Sequence, residues 1–269
     1  MLALIFLCAL CVLAGPARAQ SCPSPPTALV LSGGGAKGLA HIGDLRAGVV
    51  RAVADTIFAD DPLRLLRAVR FEDELGFHMD ERTETLLRAS SSLVVEPAGE
   101  RVLAELRRLS ADGYRRLEDV GLLEPLGGAL DERLDAFDSV DFRRVAVFGE
   151  DLARLPISND LKRYSAALRR ARTPEDPSPR AIHRFRRQTE PWAIDALAYV
   201  GATELRDLVE VARRADPPAP LVRGDELGLE PGPEIGRILA VIDEERAAGT
   251  IATREEALAL ARALAKGDA

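Results

Sequence analysis

Apolar residues recur at spacings of three and four along most of the chain, whereas the strict alternation typical of strands is rare. Such spacing places apolar side chains on one side of a helix, which can then pack against a core. The pattern predicts an all-α body that begins at about Pro62. The predicted helices lie near residues 61–75, 80–91, 98–109, 113–121, 129–138, 141–154, 159–172, 180–188, 191–200, 203–214, 232–247 and 253–265.

The composition agrees with a folded, mainly helical protein. The chain has 269 residues, of which 47% are hydrophobic, 29% charged and only 4% aromatic. A chain of this length can bury a core in one or two domains. The formal net charge of −7 argues against a general polyanion-binding protein. Any RNA-binding role would therefore need a local basic surface.

The segment 1–19 has the features of a secretory signal peptide. Its apolar run extends through Leu13, and the small residues Ala17 and Ala19 define a cleavage site. The alternative is an uncleaved anchor, although the run is short for a membrane span. Two of the three cysteines lie in this segment, so cleavage would leave Cys22 without a disulfide partner.

A glycine-rich turn follows a short apolar run, 28–31, that predicts one buried strand. Dense glycines after a strand let backbone N–H groups converge on a phosphate or an oxyanion. The candidate anion-binding residues are Gly33, Gly34, Gly35, Lys37 and Gly38. Up to Gly43 the segment resembles the opening of bacterial patatin-like phospholipases, where this turn forms the oxyanion hole. Those enzymes also need a serine in a Gly-x-Ser-x-Gly turn, and no such sequence occurs in this chain.

The most informative stretch is 58–71, which reads FADDPLRLLRAVRF. Asp60 or Asp61 can cap a helix that takes Pro62 in its first turn, where the missing N–H costs nothing. The predicted helix carries one apolar stripe and, beside it, three arginines at every third position. The stripe is Leu63, Leu66 and Val69, and the arginines are Arg64, Arg67 and Arg70. By itself such an arginine row is most often a solvated helix face.

Three motifs resemble, in order and spacing, those of the bacterial tRNA nucleotidyltransferases, which add or repair the CCA end of tRNA. They are the run 58–71, the sequence LGF at 75–77, and GERV at 99–102 followed by EL at 105–106. In that family an acidic-Asp-x-x-Arg motif of the neck domain reads the Watson–Crick edges of CTP and ATP. The resemblance implies this role for Asp61 and Arg64. A carboxylate can accept from an exocyclic amine, while a guanidinium donates to a ring nitrogen and a carbonyl.

The same resemblance implies roles for the rest of the motif. It includes Asp60, where the family commonly has Glu, together with Arg67 and Arg70 among the nucleotide-binding residues. Glu100 and Arg101 are the supporting residues of the third motif. Arg67 and Arg70 are expected to meet phosphate or carboxylate, and so to affect binding more than the choice of base.

The resemblance to the nucleotidyltransferases extends from about Asp44 to Leu264 and divides the chain into predicted units. These are a signal peptide (1–19), a patatin-like fragment (20–43), nucleotide-templating neck helices (44–125), a helical body (126–216) and a helical tail (217–269). The sequence changes character at Gly43/Asp44, where we place a junction. Pro217 and Pro220 mark the boundary before the tail.

Neither resemblance supplies its central chemical group. The catalytic head of the nucleotidyltransferases has a Gly-Gly or Gly-Ser turn followed by Asp-x-Asp for Mg²⁺, and Asp-x-Asp is absent from this sequence. Gly127 and Gly128 form the only Gly-Gly pair outside the patatin-like turn. We expect this chain alone to bind no cofactor, with CTP, ATP and Mg²⁺ used only together with a catalytic head. His41, His78 and His183 have no spacing suited to a shared metal.

The densest positive charge lies between Lys162 and Arg187. One hypothesis is that it contacts RNA phosphates, because each neutralised phosphate releases counterions. The alternative is a solubilising surface. The candidate RNA-backbone residues are Arg163, Arg169, Arg170, Arg184 and Arg187. Trp192 follows Pro191 at a predicted helix start, and we interpret it as a core residue rather than a base-stacking platform.

The sequence therefore predicts a tRNA-binding, nucleotide-templating helical module that lacks a catalytic head and is inactive alone. Its expected partners are tRNA or a tRNA-like RNA and a separate nucleotidyltransferase head, with no stable membrane insertion after signal cleavage. The alternatives are a truncated secreted patatin-like phospholipase without its nucleophile, or a non-functional gene fusion. CCA-adding, A-adding and poly(A)-polymerase ancestry all remain open. The signal peptide indicates export, whereas use of CTP and ATP indicates the cytoplasm, which we expect for the body.

Overall fold

The computed structural model describes residues 48–217 and 219–266, which are mostly helical. The α-helices are α1 (Ile57–Asp60), α2 (Leu63–Leu75), α3 (Glu81–Ala89), α4 (Gly99–Leu106), α5 (Ala111–Asp119), α6 (Val140–Phe148), α7 (Asn159–Arg170), α8 (Pro179–Thr189), α9 (Ala193–Tyr199), α10 (Arg206–Arg214), α11 (Pro233–Ala247) and α12 (Arg254–Lys266). Two-residue strands, β1 (Val49–Val50) and β2 (His78–Met79), pair in parallel. The all-α fold class predicted from the apolar spacing is confirmed.

Several expectations concern residues outside the described ranges. They are the signal peptide at 1–19, the strand at 28–31, the glycine-rich turn at 33–38 and the junction at Gly43/Asp44. These stay predictions, as do the unit boundaries at 125 and 216. Among the described helices, none combines the length with the apolar character required to cross a membrane.

Helix α2 is the central element of the N-terminal half, where it packs against α1, α4 and α5. The predicted stripe is confirmed, since Leu63, Leu66 and Val69 are each at most 1% exposed. Leu65 and Ala68 lie outside that stripe and are buried as well. Apolar contacts therefore cover more of the surface of α2 than the sequence predicted. The charged side chains of α2 are confined to the smaller part of its surface that remains.

The predicted capping of α2 by Asp60 or Asp61 is wrong. Pro62 occupies the N-cap position, and no side chain of the described residues caps the helix. Asp60 instead ends α1, where it accepts the hydroxyl of Thr56 at 3.2 Å. The backbone N–H of Arg64 is satisfied by the carbonyl of Asp61 at 3.0 Å. The Asp61 carboxylate is therefore available for other partners.

Two predicted helices are wrong in extent. The segment 129–138 contains only a four-residue 3-10 helix. Asp131 and Ser139 each accept a following backbone N–H with their side chains, which interrupts a continuous helix. The helix predicted at 141–154 is divided at Gly149, whose φ of 50° suits glycine and ends α6. The ten other predicted helices are present within three residues at either end.

Apolar side chains form two separate clusters among the described residues. The larger extends from Ala52 to Val209 and draws on α1 to α10. The smaller joins α11 to α12 and includes Ile238, Ile242 and Ala257. The two clusters share no member, so α11 and α12, hereafter the C-terminal pair, have an apolar core of their own.

The burial of α2 can be tested with one substitution at two positions. Leu66→Ala removes a side chain that is 1% exposed and should cost about 2–5 kcal/mol of unfolding free energy, because a cavity remains. Leu75→Ala, at the end of the same helix where the residue is 40% exposed, should cost about 1 kcal/mol or less. Urea denaturation followed by circular dichroism measures both, and equal losses would contradict the assigned orientation of α2.

Candidate functional site

Asp61 lies in the turn between α1 and α2, where three guanidiniums surround its carboxylate. Oδ2 lies 3.7 Å from Nε of Arg64 and 3.9 Å from Nη1 of Arg67. Oδ1 lies 3.5 Å from Nη2 of Arg101, which comes from α4. The structure therefore brings the first and third sequence motifs together around one carboxylate that is 20% exposed.

These contacts of Asp61 are long for ion pairs. Charge-assisted hydrogen bonds between a guanidinium and a carboxylate are typically about 2.7–2.9 Å. At 3.5–3.9 Å the arginines hold the Asp61 carboxylate by charge without saturating its lone pairs. It can therefore accept N–H groups from a ligand. Asp60 is not part of this cluster, because it is exposed at the end of α1 and paired with Thr56.

Arg64 is fixed beside Asp61 by the backbone of α1. Its Nη1 donates to the carbonyl of Ile57 at 3.0 Å, and its side chain is 15% exposed. Its other N–H groups have no hydrogen-bond partner among the described residues. The short helix α1 thus orients the Arg64 guanidinium while leaving it able to donate to a ligand.

Glu105 of α4 ties the other two arginines of the row together. Its Oε1 accepts from Nε of Arg67 at 2.9 Å, and its Oε2 lies 2.9 Å from Nε of Arg70. The second contact has the distance of a hydrogen bond without its alignment, so it acts as an ion pair. No role was predicted for Glu105. Its position four residues after Arg101, on the same side of one helix, is the sequence signal that could have indicated one.

Arg70 differs in environment from Arg64. Its side chain is only 7% exposed, contacts Glu74 at 3.4 Å and stacks on the ring of Phe71 at 4.4 Å. Burial lowers the pKa of the Arg70 guanidinium from its ordinary value, and the charges of Glu105 and Glu74 oppose this shift. Arg70 thus occupies a structural position, in which its charge is matched from within the chain.

The two supporting residues of the third motif also differ. Arg101 is about half exposed and reaches Asp61 from the neighbouring helix. Glu100 is exposed and forms no ion pair with any residue in the described part of the chain. Of this pair, only Arg101 therefore contributes to the cluster around Asp61.

The five candidate RNA-backbone arginines lie on two adjacent helices, and each has a partner within the chain. On α7, Arg163 pairs with Asp160, Arg169 pairs with Glu150, and Arg170 donates to the carbonyl of Ala166. On α8, Arg184 contacts Glu244 at 2.6 Å and Arg187 contacts Asp243 at 3.3 Å. The basic stretch is thus largely neutralised by nearby carboxylates.

Trp192 is a partly buried residue packed against the larger apolar cluster. Its ring meets that of Tyr164 edge to face, with centroids 5.6 Å apart. The Tyr164 hydroxyl in turn donates to Asp195 at 2.7 Å. Trp192 therefore packs at the edge of the core, and its interpretation as a core residue rather than a base-stacking platform stays a prediction.

The fold and the cluster together define a helical protein that presents one carboxylate and several guanidiniums at the start of a buried helix. No family model matches the chain. The chain is 26% identical to the CC-adding tRNA nucleotidyltransferase of Synechocystis sp., over 85% of this chain and 70% of that protein. It is 28% identical to the corresponding enzyme of Thermus thermophilus, over 86% of this chain and 73% of that protein. The chain is therefore homologous to tRNA nucleotidyltransferases over about 85% of its length.

Other matches are shorter or more distant. The CCA-adding enzyme of Latilactobacillus sakei is 40% identical over 88 residues, which are 22% of that enzyme. The crystal structure of the Bacillus stearothermophilus CCA-adding enzyme in complex with CTP superposes with a TM-score of 0.63 at 20% identity, over 83% of this chain. The Thermotoga maritima enzyme complexed with tRNA gives 0.59 at 19% identity, over 82%. The chain spans 65–67% of those two structures, which share its fold.

The structural role of Glu105 can be tested against a neighbour on the same helix. Glu105→Ala leaves the buried Arg70 without its closest carboxylate and should cost about 3–5 kcal/mol of unfolding free energy. Glu100→Ala removes an exposed charge from the first turn of α4 and should cost less than about 1 kcal/mol. Thermal and urea denaturation measure both. Stability of the Glu105→Ala variant comparable to that of Glu100→Ala would rule out a bridging role for Glu105.

Proposed function

We propose that the described residues form an RNA-binding, nucleotide-templating module of a tRNA nucleotidyltransferase-like protein. The observation that carries this proposal is the pairing of Asp61, loosely held and partly exposed, with Arg64, which has unused N–H groups. A carboxylate and a guanidinium held side by side offer one acceptor and several donors. Such a surface can contact the edge of a nucleotide base in the way that a complementary base does.

The chemistry of this pair favours cytosine and adenine. Both bases carry an exocyclic amine that can donate to Asp61, next to an unprotonated ring nitrogen that can accept from Arg64. Guanine and uracil present a carbonyl oxygen and a protonated ring nitrogen at these positions. A carboxylate facing a carbonyl oxygen is repulsive, so the pair would discriminate by rejection as well as by attraction.

The proposed RNA partner is tRNA or a tRNA-like RNA, acting in the cytoplasm. The homology to tRNA nucleotidyltransferases supports this, as does the shared fold with the Thermotoga maritima enzyme complexed with tRNA. Phosphate contacts would come from local arginines on α7 and α8, which would exchange their partners within the chain for phosphate, since the net charge of the whole chain is −7.

We further propose that nucleotidyl transfer requires a separate catalytic head. Within 48–217 and 219–266, no group of three or more His, Cys, Asp or Glu side chains could hold a metal ion. The described residues therefore do not fit a Mg²⁺ site, and no step of the reaction is assigned to them. Their part is to orient the incoming base and hold the RNA, while the head would supply the metal-binding carboxylates.

The base-reading role predicts a change in nucleotide preference. With a head domain from a related enzyme supplied separately, Arg64→Ala should lose about 1–3 kcal/mol of discrimination for CTP and ATP over GTP and UTP, because the donor to the unprotonated ring nitrogen is removed. Arg107→Ala, at the exposed end of α4, is the matched control and should leave the preference unchanged. Nucleotide affinities are compared at one fixed salt concentration. Equal discrimination in both variants, in a demonstrated complex with the head, would refute the reading role.

The requirement for a head predicts the outcome of a direct assay. The 269-residue chain, incubated with tRNA, Mg²⁺ and labelled CTP or ATP, should incorporate no label, since it contains no Asp-x-Asp. A complete tRNA nucleotidyltransferase assayed in parallel is the positive control. Template-directed incorporation by the pure chain would overturn this part of the proposal.

A further inference from the structure

A row of ion pairs between α8 and α11, hereafter the seam, joins the C-terminal pair to the rest of the described structure. The apolar core of the C-terminal pair shares no residue with the larger cluster among the described residues. Between α8 and α11, three arginines face three consecutive carboxylates. The arginines are Arg180, Arg184 and Arg187, and the carboxylates are Asp243, Glu244 and Glu245.

The arginines follow a helical spacing of four and three, which places them on one face of α8. Nη2 of Arg180 donates to both carboxylate oxygens of Glu245, at 2.6 and 2.7 Å. Arg184 donates to Glu244 at 2.6 Å. Hydrogen bonding from Arg184 is also the main reason that the pKa of Glu244 is lowered. The seam therefore consists of close, charge-assisted contacts.

The packing beside this seam is open. A groove of about 720 Å³ lies beside the seam and is lined by residues of α8, α10 and α11. Ile182 and His183 line one side, Val211 another, and Arg246 of α11 a third. The three arginines of the seam are 40–53% exposed, whereas Glu244 and Glu245 are 20% and 24% exposed, so solvent reaches the arginine side of these contacts. Exposed ion pairs are weak and are screened by salt.

We propose that Asp243, Glu244 and Glu245 form a latch that holds the C-terminal pair on α8, and that RNA phosphates release it by displacing these carboxylates from the arginines. This inference rests in part on the proposed RNA-binding function. A guanidinium fork suits a phosphate as well as a carboxylate. The same arginines can therefore bind one or the other, and RNA binding is coupled to the position of the C-terminal pair.

The latch itself is tested without RNA. Fluorescent labels are placed on the full chain by Gln188→Cys on α8 and Arg262→Cys on α12, both exposed, after the native cysteines are changed to serine. At low salt the unmodified latch should give one short label separation. Glu244→Gln with Glu245→Gln should give a longer and broader one. In 1 M NaCl, where the Debye length is about 3 Å, the label separation of the unmodified latch should become similar to that of the Glu244→Gln, Glu245→Gln variant.

A charge-matched control is available on the same part of the chain. Glu230→Gln with Glu255→Gln also removes two exposed carboxylates, neither of which pairs with a described residue. This control should keep the short separation. If the latch variant and the control give the same separation at low salt, the latch does not exist, whatever the protein binds.

Displacement is tested with a tRNA transcript that lacks its CCA end. Addition of this RNA should lengthen the label separation in the unmodified latch. The latch variant should bind the RNA about 2- to 30-fold more tightly than the control variant does, because two competing ion pairs have been removed. Binding with an unchanged separation and equal affinities would overturn displacement. Absence of binding by every variant would instead refute the proposed RNA function and displacement with it, while the RNA-free measurement still decides the latch.

Discussion

The near-complete burial of α2 is the constraint on which the N-terminal half of the structure depends. Leu63, Leu65, Leu66 and Val69 are all at most 1% exposed, so the arginines between them are confined to a strip that other helices also approach. A charge in such a position is costly unless it is paired. The neighbouring helix α4 supplies the pairing carboxylate, Glu105, and the position of α4 is in turn fixed by the apolar contacts of α2.

This confinement gives the three arginines of the row different roles. At the inner end, Arg70 is enclosed by Glu105, Glu74 and Phe71. At the outer end, Arg64 is held by a single backbone carbonyl beside Asp61, which remains partly exposed. Arginines that are regularly spaced in the sequence therefore differ in the structure: Arg70 forms a buried ion pair, whereas Arg64 keeps N–H groups that can donate to a ligand. The Asp61 carboxylate is available to other partners because Pro62 occupies the N-cap position of α2, and Asp61 does not cap the helix.

The C-terminal half uses its arginines in another way. The larger apolar cluster ends at α10, and the C-terminal pair has its own smaller cluster. The arginines of α8 meet carboxylates of α11 across this division. Contacts of this kind orient two units without merging their cores, and they respond to salt and to competing anions far more than apolar packing does. The negative net charge of the chain is thus compatible with a stretch rich in arginine.

Much of the fold was determined by the sequence alone, because apolar spacing of three and four is a local property of a helix. Ten of the twelve predicted helices, the stripe through Leu63, Leu66 and Val69, and the grouping of Asp61 with Arg64 all follow from residues close together in the chain. One error in helix extent arose where the side chains of Asp131 and Ser139 accept backbone N–H groups of residues that follow them. The other arose at Gly149, whose positive φ ends α6.

Only the tertiary structure decided which charges are matched. Glu105 reaches Arg67 and Arg70 from a helix more than thirty residues away in the chain, and Glu244 reaches Arg184 across sixty. Pairing at such distances depends on how helices pack, and the spacing of charges along one helix carries no information about what lies opposite it. The sequence therefore determined that an arginine row exists, whereas the packing of α4 and α11 decided which arginines are bound within the chain and which can meet a ligand.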